Sequence, residues 1–239
     1  MNVTHSPGSG PLVRRHTIVT RVTHWIWAVC LFFLLLTGLQ IFNAHPVLYW
    51  GDQSGFAFDN SVLRPGPFPG WATIPSNVDL ATGRVIHFFF AWIFVATLLV
   101  WAMGSLLSGH LVRDLVMRKR DWAALVSDAR DHARLRFRHG VRYGPLQRLS
   151  YGVVLFVLFP LMGLTGLAMS PGANAAVPWL PEILGGRQSA RTLHFVIAAG
   201  LLGFFFVHVA MVLLAGPLNE MRAILTGWYR ADSEEADDV

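Results

Sequence analysis

The sequence predicts an all-α integral membrane protein, a bundle of four transmembrane helices with both termini in the cytoplasm. Three observations predict it. Of 239 residues, 54% are hydrophobic and only 14% charged, outside the usual range of a soluble domain. The apolar residues gather into four long runs, at about 22–42, 85–107, 146–169 and 193–214, and each can cross a hydrocarbon core of about 30 Å at about 1.5 Å per helical residue. The basic residues gather in one connection and the N-terminal leader, as Lys and Arg do on the cytoplasmic side.

Taken in order, residues 1–20 form a leader rich in Gly, Ser and Pro, expected to be mobile. Basic residues ahead of the first run imitate a signal peptide. That run is too long for one, contains His24 and ends in LQIFNAHP without a small-x-small site, so it reads as the first helix. The connection 44–84 is long and full of Pro, Gly and aromatics, which predicts an ordered periplasmic cap. After the second run comes the basic segment, with Arg113, Arg118, Lys119, Arg120, Arg130, Arg134, Arg136, Arg138, Arg142 and Arg148. Within it Trp122, Leu125, Val126 and Ala129 follow a helical period, which predicts a short helix on the membrane surface. Residues 21–216 are thus one four-helix domain. Residues 217–239 are a cytoplasmic tail whose acidic end, ADSEEADDV, is expected to fray.

The net charge of +5 is explained by the basic connection. It suits topology and attraction to anionic membrane lipid, and leaves no case for nucleic acid. The one cysteine, Cys30, lies inside the first run, which excludes a disulfide, a CxxCH haem attachment and an iron–sulfur ligand set.

Four of the ten histidines, His24, His87, His194 and His208, lie inside the apolar runs, where an ionisable group is a functional hypothesis by default. The alternating direction of the helices sorts them by depth. His87 and His194 start inward-running helices and share the periplasmic side, and His24 and His208 share the cytoplasmic side. Fourteen residues separate His194 from His208, close to four turns and about 21 Å, so one helix can supply a ligand to each of two stacked sites. Two facing imidazoles at one depth suit the axial ligation of haem iron. Zinc would need three or four converging ligands, and no HExxH pattern occurs.

Glycines add to this. Gly38 follows His24 by fourteen residues and Gly152 precedes Gly166 by the same interval, so the first and third helices offer small residues at both haem depths. Three of the histidine-bearing starts also repeat a spacing. Arg21 and His24, Arg84 and His87, and Arg191 and His194 each stand three residues apart, about one turn, with the cation nearer the surface. A guanidinium there can pair with haem propionates, Arg84 and Arg191 at the periplasmic haem and Arg21 at the cytoplasmic one. Arg148, at the start of the third helix, is a further candidate.

The segments RVTHW, GRVIHFFFAW and RTLHF, with His208 fourteen residues on, resemble the four-helix diheme cytochrome b subunits of nickel–iron hydrogenase, formate dehydrogenase and thiosulfate reductase. TGLQIFNAHPVLYWG and SGHLVRDL are most similar to the thiosulfate-reductase branch. The resemblance implies that His24, His87, His194 and His208 are the axial ligands of two non-covalent b haems. It implies electron transfer in a bacterial inner membrane between the quinone pool and a periplasmic redox subunit, in that branch often a molybdopterin protein. It also implies a quinone near His24, His208 and the start of the third helix. The long cap 44–84 departs from the shorter relatives and is available to dock a partner or to form a second quinone site.

Two other classes compete. A related, smaller diheme fold supports a stand-alone superoxide:quinone oxidoreductase, which would work without a partner. A proton or metal transporter would need water-lined polar residues beyond the four histidines, and Thr37, Gln40, Thr97 and Thr165 are the main ones available.

Overall fold

The computed structural model describes residues 10–55, 59–109, 111–134 and 143–231. His5, His110, His139, Arg136, Arg138, Arg142 and all of the acidic end after Ala231 lie outside the described residues. The fold is predominantly helical, with four helices long and apolar enough to cross a membrane. The first is α1 (Ile18–Asn43) and the second α2 (Leu80–Leu107). The third is built from α4 (Pro145–Val153), a five-residue π-helical segment (Val154–Leu158) and α5 (Phe159–Met169), and the fourth is α8 (Arg187–Leu214). Between them lie α3 (Lys119–Ala133), α6 (Pro171–Ala176) and α7 (Trp179–Ile183), and after them α9 (Pro217–Thr226).

All four helices start before the expected positions, and in two of them a side chain caps the added first turn. Thr17 opens α1 by accepting the Thr20 amide at 3.2 Å, and Asp79 opens α2 by accepting the Thr82 amide at 3.0 Å. The third span is one continuous helical stretch, Pro145–Met169, which is locally widened where Pro160 removes a backbone donor and its ring crowds the carbonyl of Phe156. The widened turn at Val154–Leu158 absorbs that misfit. Outward side chains on the long helices are large and apolar, as in Phe89 at 60% exposed and Trp92 at 67%, a surface that suits lipid and not water.

The described residues fall into two compact units, each built from stretches of the same four helices. The first takes Met1–Trp25, Val100–Val154 and Phe205–Val239. Here the described end of the leader is paired from Leu12 to Arg14. Strand β1 (Leu12–Arg14) pairs antiparallel with β4 (Trp228–Arg230), Val13 opposite Tyr229. Arg15, 5% exposed, forms an ion pair with Glu220 of α9 at 3.0 Å and lies over the Tyr229 ring at 4.5 Å. The amphipathic helix expected around Trp122 is α3, and Trp122 and Val126 face outward at 57% and 59% exposed. Its other side holds α4: Asp128 accepts the Leu146 amide at 2.9 Å, and buried Asp121 receives Arg148 at 3.3 Å.

The second unit takes Ile26–Leu99 and Leu155–Phe204, and its described loop residues are ordered as expected. Strand β2 (Leu48–Tyr49) pairs with β3 (Ser61–Leu63) through an irregular register. Asn43 closes the loop by bonding both backbone groups of Phe68, at 2.8 and 2.7 Å. The loop also caps α8. The Gly51 carbonyl accepts the Gln188 and Ser189 amides at 2.9 and 3.1 Å, and Tyr49 accepts the Thr192 hydroxyl at 2.6 Å. Gly186, at φ +106°, runs so close to the loop that a Cβ there would lie 2.5 Å from the Gly51 carbonyl carbon.

Candidate haem-ligand pairs

In the second unit, α2 presents His87 and α8 presents His194, with ring centroids 6.3 Å apart and planes 58° from parallel. In the first unit, α1 presents His24 and the far end of α8 presents His208, again 6.3 Å apart and at 55°. These are the two pairs expected from depth alone.

The spacing tests what the rings can share. Two imidazoles joined by an N–H···N bond would have centroids about 5 Å apart, since a ring nitrogen lies about 1.1 Å from its centre. Two metal–nitrogen bonds of about 2.0 Å across one ion give about 6.2 Å. Both pairs match the second distance. Among the described residues no cluster of three or more His, Cys, Asp or Glu could hold a metal, so a metal between either pair of rings would need its other ligands from a cofactor, as a porphyrin supplies them.

The surroundings of the His87 and His194 rings also fit. The hydroxyl of Thr37 on α1 lies 3.0 Å from His87 Nδ1, and that of Thr165 on α5 lies 2.9 Å from His194 Nδ1. Each hydroxyl also meets the carbonyl four residues back in its own helix, Phe33 at 2.6 Å and Leu161 at 2.7 Å. A carbonyl can only accept, so each hydroxyl proton goes there and the oxygen is left to accept from Nδ1–H. The lone pair then falls on Nε2, the tautomer a metal requires. The neighbouring glycines let the rings approach. A Cβ on Gly38 would lie 3.4 Å from His87 Cε1, and one on Gly166 would lie 3.5 Å from His194 Cε1.

The His24 and His208 pair has different support. Trp25 meets the His24 ring edge-on at 5.3 Å, and buried His24 Nδ1 has no hydrogen-bond partner. A Cβ on Gly152 would meet nothing within 4 Å, so that position borders open space and not a ring.

The arginines are less uniform than their spacing suggests. Arg191 donates to the His45 carbonyl and, at 2.9 Å, to the Val47 carbonyl, so it holds the loop that caps α8. Arg148 is buried and engaged by the Tyr143 carbonyl at 3.1 Å as well as by Asp121. Arg21 donates to the Leu225 carbonyl through one terminal nitrogen and keeps a buried, unpartnered Nε. Arg84 is exposed, over the Phe88 face at 5.7 Å. The sequence reasoning missed Thr37 and Thr165 as site residues, weighing them only as transporter polarity. Their signal was present, because LTGL occurs at both 36–39 and 164–167.

Imidazole pairs drawn from three of four apolar helices, with no CxxCH motif to attach a macrocycle, fit the class of membrane cytochromes that hold haem without a covalent bond. A family model described as prokaryotic cytochrome b561 matches residues 15–227, and the chain belongs to that family. It is therefore a multi-pass membrane protein of a family that binds b-type haem. Two relatives are similar along most of their length. A protein of Azospira oryzae named as the protein-methionine-sulfoxide reductase subunit YedZ1 is 28% identical over 199 residues, 81% of this chain and 87% of its own. A protein of Bradyrhizobium diazoefficiens named as a Ni/Fe-hydrogenase B-type cytochrome subunit is 26% identical over 211 residues, 83% of this chain and 77% of its own.

Proposed function

We propose that this chain carries two b haems and moves electrons between a periplasmic redox subunit and the quinone pool of a bacterial cytoplasmic membrane. The observation that carries the reading is the equal 6.3 Å spacing of two separate imidazole pairs. His87 and His194 hold one haem toward the periplasm, His24 and His208 hold the other toward the cytoplasm, and both termini are cytoplasmic. The basic residues of the connection between α2 and α4 favour that orientation.

Haem iron exchanges one electron at a time when bound, and every other part of the function belongs to the chain. The four histidines fix the iron, and Thr37 and Thr165 fix two of those rings. Gly38 and Gly166 let two of the rings approach, and Gly152, which borders open space, leaves room for the macrocycle. Arg84, exposed a turn before His87, and Arg21, with its free Nε, are the cations best placed for propionates. Arg191 and Arg148 are committed to the loop and to Asp121, so their part is to hold the scaffold.

The named relatives are subunits of larger oxidoreductases, which supports a redox partner for this chain, and the sequence resemblance points to the molybdopterin class. The same resemblance supports a quinone near His24, His208 and the start of α4. The test is the purified membrane protein. It should show low-spin b-type bands and about two haems per chain by pyridine haemochrome, and should reoxidise with a quinone analogue. A stably folded chain with one haem or none overturns the reading, and co-purification names the partner.

A further inference from the structure

We propose that Thr37 and Thr165 are positioning residues that set the reduction potential of the haem held by His87 and His194. The inference rests on the two-haem reading and goes beyond it by assigning control of one haem to two hydroxyls on helices that carry none of its ligands.

Both threonines are fully buried, at 0% exposed. A buried hydroxyl with no role would satisfy itself on the carbonyl one turn back and stop there, as Thr97 does with Ile93 at 2.7 Å. Thr37 and Thr165 make that same bond and also reach a ring nitrogen on a different helix, at 3.0 and 2.9 Å. The backbone bond uses the only proton, so the oxygen faces the imidazole as an acceptor. An acceptor on Nδ1–H makes Nε2 a stronger electron donor, and a stronger donor favours ferric over ferrous iron.

The arrangement occurs twice around one pair, with His87 of α2 held by Thr37–Gly38 of α1 and His194 of α8 held by Thr165–Gly166 of α5. The hydroxyl grips the ring nitrogen while the glycine next in sequence lets Cε1 of the same ring come close. The two threonines therefore act on opposite faces of one haem. Among the described residues His24 Nδ1 has no such acceptor.

The experiment is a spectroelectrochemical titration of the haem-loaded full chain. Two components are expected for the parent. Thr37→Val keeps the shape and removes the acceptor, and should move one component to a more positive potential while the other stays. Thr165→Val should move the same component in the same direction, the double variant should move it further, and Thr37→Ser should leave it at the parental potential. Loss of that haem in Thr37→Val but not in Thr37→Ser also supports the hydroxyl. The proposal is overturned if Thr37→Val and Thr165→Val retain both haems with unmoved potentials or move different components. It is equally overturned if the serine variant behaves like the valine variant, which would leave a packing role only. A parent with no haem would defeat the two-haem reading itself, a result distinct from any of these.

Discussion

The two histidine pairs have the same spacing and nearly the same tilt, 6.3 Å with 58° and 6.3 Å with 55°, yet almost nothing around them is alike. His87 and His194 are each met by a hydroxyl and a glycine from a neighbouring helix. His24 is met by the edge of Trp25 and leaves a ring nitrogen unpartnered among the described residues. The difference teaches that ring spacing follows from what the rings must share, while the surroundings are free to make two sites with different properties.

The comparison can be broken most severely at the ligands. His194→Ala should remove one haem and leave the other with its bands unshifted. His208→Ala should remove the complementary haem, so that each variant reads about half the parental pyridine haemochrome. Retention of two haems by either variant would separate the pairs from the cofactor.

The ion pair of the first unit comes next. Glu220→Gln leaves Arg15 charged and 5% exposed without its partner, a loss of about 3–5 kcal/mol for a buried pair. Thermal release of the His24 and His208 haem should come at a clearly lower temperature, while Arg15→Met with Glu220→Leu should recover most of it. An equal shift for both haems would show that the units do not differ in what holds them.

Gly186→Ala acts on the second unit. Its φ of +106° alone would cost about 1–3 kcal/mol for a side-chain-bearing residue, and the close approach to Gly51 adds to that. The loop 44–79 should become sensitive to protease, and the His87 and His194 haem should be released more easily than the other.

The smallest effect is the cap of α2. The Thr82 amide and hydroxyl, bonding Asp79, hold its carboxylate below the ordinary range. A group lowered in the folded state stabilises above its unfolded pKa, and that stability is lost as pH falls through the folded value. Asp79→Ala should thus lower the melting temperature slightly near neutral pH, and the gap to the parent should close in acid.

The long helices were legible in the sequence because hydropathy marks spans, and the two ring pairs because consecutive spans alternate in direction, which groups His87 with His194 and His24 with His208. The roles of Arg191 and Arg148 were not legible. Arg191 is taken by the carbonyls of His45 and Val47, and backbone carbonyls leave no mark in a sequence. Arg148 is taken by Asp121, a partner 27 residues away that meets it only once α3 packs on α4. The widened turn at Val154–Leu158 had a visible cause in Pro160, and the threonines had a visible repeat in LTGL. The β1 and β4 pairing had neither, since three-residue strands from opposite ends of a chain carry too little pattern to be matched.

That pairing also orders events in time. Ribosomes extend a chain at about 5–20 residues per second, so Leu12 waits roughly ten to forty seconds before Arg230, opposite it in the sheet, has been made. Until then Arg15 lacks Glu220, and His24 lacks a facing ring because His208 is on the last long helix. Strand β1 is thus made well before its partner and stays unpaired until β4 emerges.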